Sequence, residues 1–116
     1  MREYKVIIHI DELNKWKLVL SNVKNLLNVR ENDSMVIEVL ANSEAVKYYD
    51  KNQELDTVTH EIESLSERGV KFVACNNALI ANNISKETLI SCVNVVPAGV
   101  VELVMKQNEG YAYIKP

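Results

Sequence analysis

Glycine and proline are scarce in this chain, with three glycines and two prolines among 116 residues. There is no Walker loop and no GxGxxG fingerprint, and so few glycines disfavour a dinucleotide site. Cysteine is scarce as well. Cys75 and Cys92 stand alone without a CxxC pair, and two isolated cysteines without a leader segment point to a reducing compartment, the cytoplasm. Long apolar runs are missing: nothing approaches the roughly 20 residues that cross a bilayer, so the expectation is a soluble chain with no membrane partner. Basic residues are neither abundant nor clustered. The net charge is −3, which argues against nucleic acid, whose phosphates are met by grouped Lys and Arg. His60 lies in a polar helical stretch with no Cys or His at ligand spacing, so no metal is expected, and no cofactor either.

What is present suits an ordinary globular protein. Hydrophobic residues make up 47% and charged residues 25%, and the length fits a single domain over residues 1–116 with one core. The opening Met1-Arg2-Glu3-Tyr4-Lys5-Val6-Ile7-Ile8-His9-Ile10-Asp11 reads as a strand rather than a signal peptide, because His9 and Asp11 interrupt its apolar stretch and no small-residue cleavage site follows.

Strand-like and helix-like patterns then alternate. Tyr4–Ile10 is rich in Val and Ile, and from Asp11 on Leu13, Trp16, Leu20, Val23 and Leu27 recur at spacings of three and four. Met35–Leu40 predicts a second strand, with a turn at Ala41-Asn42-Ser43 and a helical stretch over Glu44–Tyr49. Leu55, Val58, Ile62 and Leu65 step again by three and four, and Gly69 stands where a left-handed cap is wanted. Val70–Cys75 predicts the third strand, followed by a short helix over Asn76–Ala81, a turn at Asn82-Asn83, and Ser85 as N-cap of Lys86–Ser91. Val93–Val96 reads as a strand covered on both faces, Pro97–Glu109 as a helix ended by Gly110, and Tyr111–Ile114 as a fifth strand.

Such alternation implies an α/β fold: a three-layer α/β/α arrangement around a mostly parallel five-stranded sheet with right-handed crossovers. Ligands in these sheets bind beyond the carboxyl ends of the strands, near a topological switch point. The residues of interest are then His9 to Glu12, Ala41 to Glu44, Cys75 to Asn77, and Pro97 to Gly99.

Cys75 is the candidate reactive atom, since it closes the third strand just before the helix start at Asn76, where free N–H groups favour a thiolate. A buried inert thiol is an equally weighted reading. If the first and third strands are neighbours, His9 can point into the same crevice and tune or protonate the sulfur; otherwise it is simply held in the sheet to fix a loop. Asn42 and Ser43 can bind a ligand, although turn and cap roles are favoured for them. Asp11 and Glu12 are read as helix-start carboxylates. Cys92 should open the fourth strand roughly 13 Å from the level of Cys75, beyond the about 7 Å between Cα atoms that a disulfide tolerates. A receiver domain is disfavoured because its third strand should end in aspartate, and here the residue is Cys75.

Taken together, Val6-Ile7-Ile8-His9-Ile10-Asp11, Leu20-Ser21-Asn22-Val23-Lys24-Asn25-Leu26-Leu27, Gly69-Val70-Lys71-Phe72-Val73-Ala74-Cys75-Asn76-Asn77-Ala78-Leu79, Val95-Val96-Pro97-Ala98-Gly99-Val100 and Gln107-Asn108-Glu109-Gly110-Tyr111-Ala112-Tyr113-Ile114 resemble the small DsrE/DsrF-like proteins of sulfur relay, in order along nearly the whole chain. The resemblance implies a five-stranded α/β/α protomer in closed homo-oligomers, trimers or hexamers. It also implies a persulfide on the cysteine after the third strand, here Cys75, exchanged between sulfur donor and acceptor proteins. On this reading the chain is a sulfur carrier or sulfurtransferase, with His9, Asn42, Asn76 and Asn77 around the sulfur. Asn76 and Asn77 bring no adjacent Lys or Arg. The competing reading is a non-catalytic homo-oligomeric module that binds a small ligand or a protein, with Asn22 and Asn25 as a polar subunit contact.

Overall fold

The β-branched runs form five strands in the computed structural model, which describes residues 2–29, 33–52 and 56–116. They are β1 (Glu3–Ile10), β2 (Ser34–Ala41), β3 (Lys71–Cys75), β4 (Val93–Val96) and β5 (Ala112–Ile114). Their order is β4-β3-β2-β1-β5, and every neighbouring pair is parallel. The helices are α1 (Trp16–Leu27), α2 (Asp56–Glu67), α3 (Asn76–Ala81) and α4 (Gly99–Asn108). The helix expected from Asp11 is a 3₁₀ turn at Leu13–Lys15 that runs into α1, and the stretch after β2 is a longer 3₁₀ segment, Ser43–Tyr49. Leu55 lies outside the described residues.

From β1 to β4 the chain adds each strand on the same side, then returns across the sheet to place β5 beyond β1. Right-handed crossovers therefore put α1, α2 and α3 on one face and α4 on the other. The first face holds the large core. Val6, Ile8, Ile37, Val39, Phe72 and Ala74 of the strands pack there with Trp16, Val19, Val23, Ile62 and Leu65, as the three-four spacing of α1 and α2 requires. Trp16 Nε1–H donates to the Ala45 carbonyl at 2.9 Å and the Tyr49 hydroxyl to the Val39 carbonyl at 3.0 Å. These two bonds pin the 3₁₀ segment onto the sheet while satisfying the polar ends of buried rings.

The second face is thinly covered. Ile7, Leu40 and Val73 meet Leu103 of α4, and Gly99 and Leu103 are the buried residues of that helix. Strand β4 is an edge strand with half-buried side chains, not one covered on both faces, because the return crossover carries the chain away to the far side of β1. The helix start also shifts: Pro97 precedes the N-cap Ala98, and α4 begins at Gly99.

Candidate functional site

The connection after β3 leads to α3 on one face, while the connection after the adjacent β4 leads to α4 on the other. This divergence makes the carboxyl ends of β3 and β4 the topological switch point, the place where an open α/β sheet leaves a crevice. Cys75 is the last residue of β3 and pairs with Val96, the last residue of β4.

Cys75 is 6% exposed, and both cysteines are free thiols. Its sulfur accepts the backbone N–H of Gly99 at 3.3 Å. The helix terminus that serves the sulfur is thus α4, not the helix that follows it in sequence. Cys75 is N-cap of the six-residue α3 but makes no side-chain cap bond there. Phe72 and Ala74 turn to the α1–α3 core while Val73 turns to the α4 face; Cys75, two residues after Val73 at the strand end, packs with the first core yet directs its sulfur to Gly99 of α4. Gly99 is needed for the close approach. A Cβ on it would lie 3.3 Å from Cys75 Cβ, 3.4 Å from Asn42 Cβ and 3.6 Å from Leu40 Cδ2.

His9 and Asn42 meet at the same end of the sheet. His9 Nε2 lies 2.9 Å from Asn42 Oδ1 and His9 Nδ1 lies 2.8 Å from the Tyr113 hydroxyl. An amide oxygen only accepts, so Nε2 carries the proton; in the neutral ring Nδ1 then accepts from Tyr113. The two rings are tilted, with centroids 5.8 Å apart. Asn42 is therefore not a side-chain cap of the 3₁₀ segment, where no such bond forms. Its N–H donates to the Ile10 carbonyl at 3.0 Å, and the next residue, Ser43, adopts φ +51°, a left-handed backbone that a serine seldom takes. The Ser43 carbonyl accepts from Asn82 Nδ2 at 3.1 Å. Held from both sides, the loop aims the Asn42 side chain between His9 and the start of α4.

The result is a line of groups from Tyr113 of β5 through His9 of β1 and Asn42 after β2 to Gly99 and Cys75. Asn76 is half-buried and Asn77 exposed at the start of α3, and neither side chain joins the line. Asp11 and Glu12 are not caps: Asp11 pairs with Lys115 at 3.2 Å, and Glu12 makes no side-chain cap bond. Cys92 sits just before β4, at the amino end of the strands, opposite the end that holds Cys75. Exposed His60 lies 3.9 Å from Glu63, and among the described residues no group of three or more His, Cys, Asp or Glu is placed to hold a metal.

Two members of the site escape a linear reading. Tyr113 sits in a strand whose place beside β1 depends on the return crossover. Gly99 carries a faint signal, a glycine following Pro97 at a helix start, but its contact with Cys75 is a long-range fact.

No helix among the described residues is long and apolar enough to cross a membrane. The family model of the DsrE/DsrF-like family matches residues 16–116. Among solved structures, a protein of unknown function, MTH1491 from Methanobacterium thermoautotrophicum, is 37% identical with a TM-score of 0.87, the match covering 97% of this chain and 99% of that one. The ychN protein from E. coli, at 17% identity and TM-score 0.68 over the full length of both chains, shares the fold. So does BT1422 from Bacteroides thetaiotaomicron, a conserved protein of unknown function, at 19% identity and TM-score 0.73 over 97% of this chain and 94% of that one. No curated protein matches. A family match from α1 to the end of the chain, with a 37% identical relative over nearly its whole length, means that the chain belongs to the DsrE/DsrF-like family.

Proposed function

We propose that the protein is a sulfur carrier in which Cys75 holds a sulfane sulfur as a persulfide. The observation that carries this reading is the Gly99 N–H on the Cys75 sulfur at the β3/β4 switch point. A helix N-terminus directed at a sulfur stabilises negative charge there, as thiolate or as terminal persulfide. In the loading step the Cys75 thiolate attacks the outer sulfur of a donor persulfide. A new S–S bond forms at Cys75, the donor's S–S bond breaks, and the donor leaves as a thiolate. An acceptor thiolate then takes the outer sulfur in the same way and restores the Cys75 thiolate, so no external oxidant or reductant is consumed. Asn42 and His9 form the polar wall beside the sulfur, and Asn76 and Asn77 its rim. The partners are sulfur donor and acceptor proteins, in a reducing compartment such as the cytoplasm.

The test is intact mass after exposure to a sulfane-sulfur donor, in wild type, Cys75→Ser and Cys92→Ser. A gain of one sulfur that a reductant removes, present in Cys92→Ser and absent in Cys75→Ser, supports the carrier. Absence of any gain on folded wild type, with Cys75 unreactive until unfolding, overturns it.

A homo-oligomeric binding module has its own support. On α4, Val100 is 67% exposed, Val101 53%, Val104 64% and Met105 52%, and Val101 and Met105, together with Val96, Pro97, Ala98 and the charged Glu102, border a largely apolar cleft beside the site. An apolar surface of this kind suits subunit contact, and it favours α4 over Asn22 and Asn25 of α1 as the contact. Sedimentation decides: a trimer or hexamer that dissociates in Val104→Glu supports contact through α4, and a monomeric wild type removes it.

A further inference from the structure

Beneath α4, in the middle of the second face, lies a carboxyl group that the site does not use. Glu38 of β2 is 2% exposed, and its Oε2 receives no hydrogen bond from an N–H or O–H donor. An ionised carboxylate so placed is costly unless its oxygens are met. The groups facing it come from every side. From α4, Lys106 Nζ reaches Oε1 at 4.0 Å but also pairs with Glu109 at 3.7 Å and lies 5.3 Å over the Tyr111 ring. Lys71 is the direct partner on β3 and apolar Ile7 the partner on β1. Lys5, further back on β1, donates to the Glu109 carbonyl at 3.1 Å, and the buried Tyr49 hydroxyl acts from the opposite face. The remaining neighbour is the carboxyl of Glu102, one turn before Lys106 on the same side of α4, which raises Glu38 through its nearness and charge. Two neighbouring carboxyl groups can join in a hydrogen bond when one of them carries a proton.

We infer that Glu38 and Glu102 share one proton beneath α4, and that its release loosens the helix whose first N–H rests on Cys75, so that exposure of the sulfur depends on pH. The geometry of α4 makes this workable. With Leu103 as its buried large side chain and Gly99 as its close contact, the helix has a slender apolar hold. A second carboxylate charge at the Glu38–Glu102 contact therefore weighs against a small opposing term. Burial, then the nearness and charge of Glu102, push Glu38 up to about 8, against the pull of Lys106 and Lys71. Below that pH the pair is protonated and the helix seated; above it the two carboxylates repel. The shared proton is independent of the carrier reading, whereas its use in regulating sulfur exchange rests on it.

Carbon-13 NMR of the glutamate carboxyl carbons in wild type reads the pair directly. A group assigned to Glu38 that titrates near 8 is expected, and titration in the ordinary range of about 4.3 overturns the inference. Iodoacetamide alkylation of Cys75 in a Cys92→Ser background, with and without Glu38→Gln, reads the helix. Taking the ratio of the two rates cancels ordinary thiol ionisation. The rate with Glu38 intact, divided by the rate with Glu38→Gln, should rise from near unity at about pH 6.5 to about threefold or more by about pH 9, and a flat ratio overturns the inference. Glu102→Gln in the same background serves if Glu38→Gln does not fold, with the same two outcomes. Sulfane-sulfur loading at about pH 7 separates the two proposals. A rising ratio without loading upholds the pH-dependent seating of α4 and removes the carrier, and loading with a flat ratio does the reverse.

Discussion

The Gly99 N–H and the Cys75 sulfur are joined at 3.3 Å although 24 residues separate them. The contact exists because the chain reverses direction after β4 and lays the start of α4 across the end of β3. It ties the state of the sulfur to the seating of one helix, and that tie can be probed from different sides.

Replacing Gly99 by Ala should damage the site without removing any functional group. The added Cβ would press on Cys75 and Asn42 at 3.3 and 3.4 Å, tighter than ordinary carbon contacts, so the helix start must move by a few tenths of an ångström. A loss of about 1–2 kcal/mol in urea unfolding is expected from overpacking, with faster alkylation of Cys75 as the N–H leaves the sulfur. Unchanged stability and alkylation would show that the helix start yields freely.

His9 should be the Nε2–H tautomer when neutral, because Asn42 Oδ1 accepts from it and the Tyr113 hydroxyl donates to Nδ1. Long-range proton–nitrogen correlation of the ring reports this directly. Tyr113→Phe removes an exposed donor and should cost about 0.5 kcal/mol or less, since water replaces it. Asn42→Ala breaks the part-buried bond and should cost about 1 kcal/mol. An Nδ1–H tautomer in wild type would contradict the arrangement.

Much of the fold was legible in order along the chain. Trp16, Leu20 and Val23, spaced by four and three, are buried on α1 as their period requires; Ser85 is an N-cap accepting from the Glu87 N–H, although of a 3₁₀ turn, Lys86–Thr88, shorter than Lys86–Ser91; Gly69 takes the left-handed backbone expected of a cap, and Asn83, in the expected turn, takes it too. These are local properties, decided within one or two turns of chain. The misreadings share a cause. Which helix covers Cys75, which strand lies beside His9, and whether β4 is central or at an edge all depend on strand order, and periodicity carries no information about that. Glu38 left a trace, a single charge in the apolar run Met35–Leu40. Its burial under α4 follows only from the side of the sheet to which α4 returns.

Leu103→Ala offers a test of how little holds α4. Leu103 meets Ile7, Leu40 and Val73 and is the large apolar anchor of the helix. Its truncation should cost about 2–4 kcal/mol, and amide exchange should accelerate first in α4 and at Gly99, while Trp16 and Tyr49 on the other face stay protected. Uniform acceleration across both faces would mean that α4 unfolds only with the whole domain.

Stability should depend on pH through Glu38, and the sign follows from proton counts. The carboxyl titrates near 4.5 in the unfolded chain and, raised chiefly by burial, at about 8 in the folded one. Between these values the folded state holds a proton that the unfolded state has released, so stability falls as pH rises, by at most about 1.4 kcal/mol per pH unit. Above about 8 both states are ionised and the loss levels off. Lys106 is raised as well: desolvation opposes its charge, but Glu38, Tyr111, Glu109 and Glu102 together hold it above the usual lysine range, so it stays charged in both states throughout this window and adds no slope of its own. Chemical denaturation of wild type and Glu38→Gln from about pH 5 to 9 should give a falling curve for the first and a flatter one for the second, with the variant gaining relative stability towards the alkaline end. Parallel curves would place the Glu38 proton elsewhere. A wild type that gained stability with rising pH would mean that Glu38 is ionised when folded, with Lys106 as its true partner.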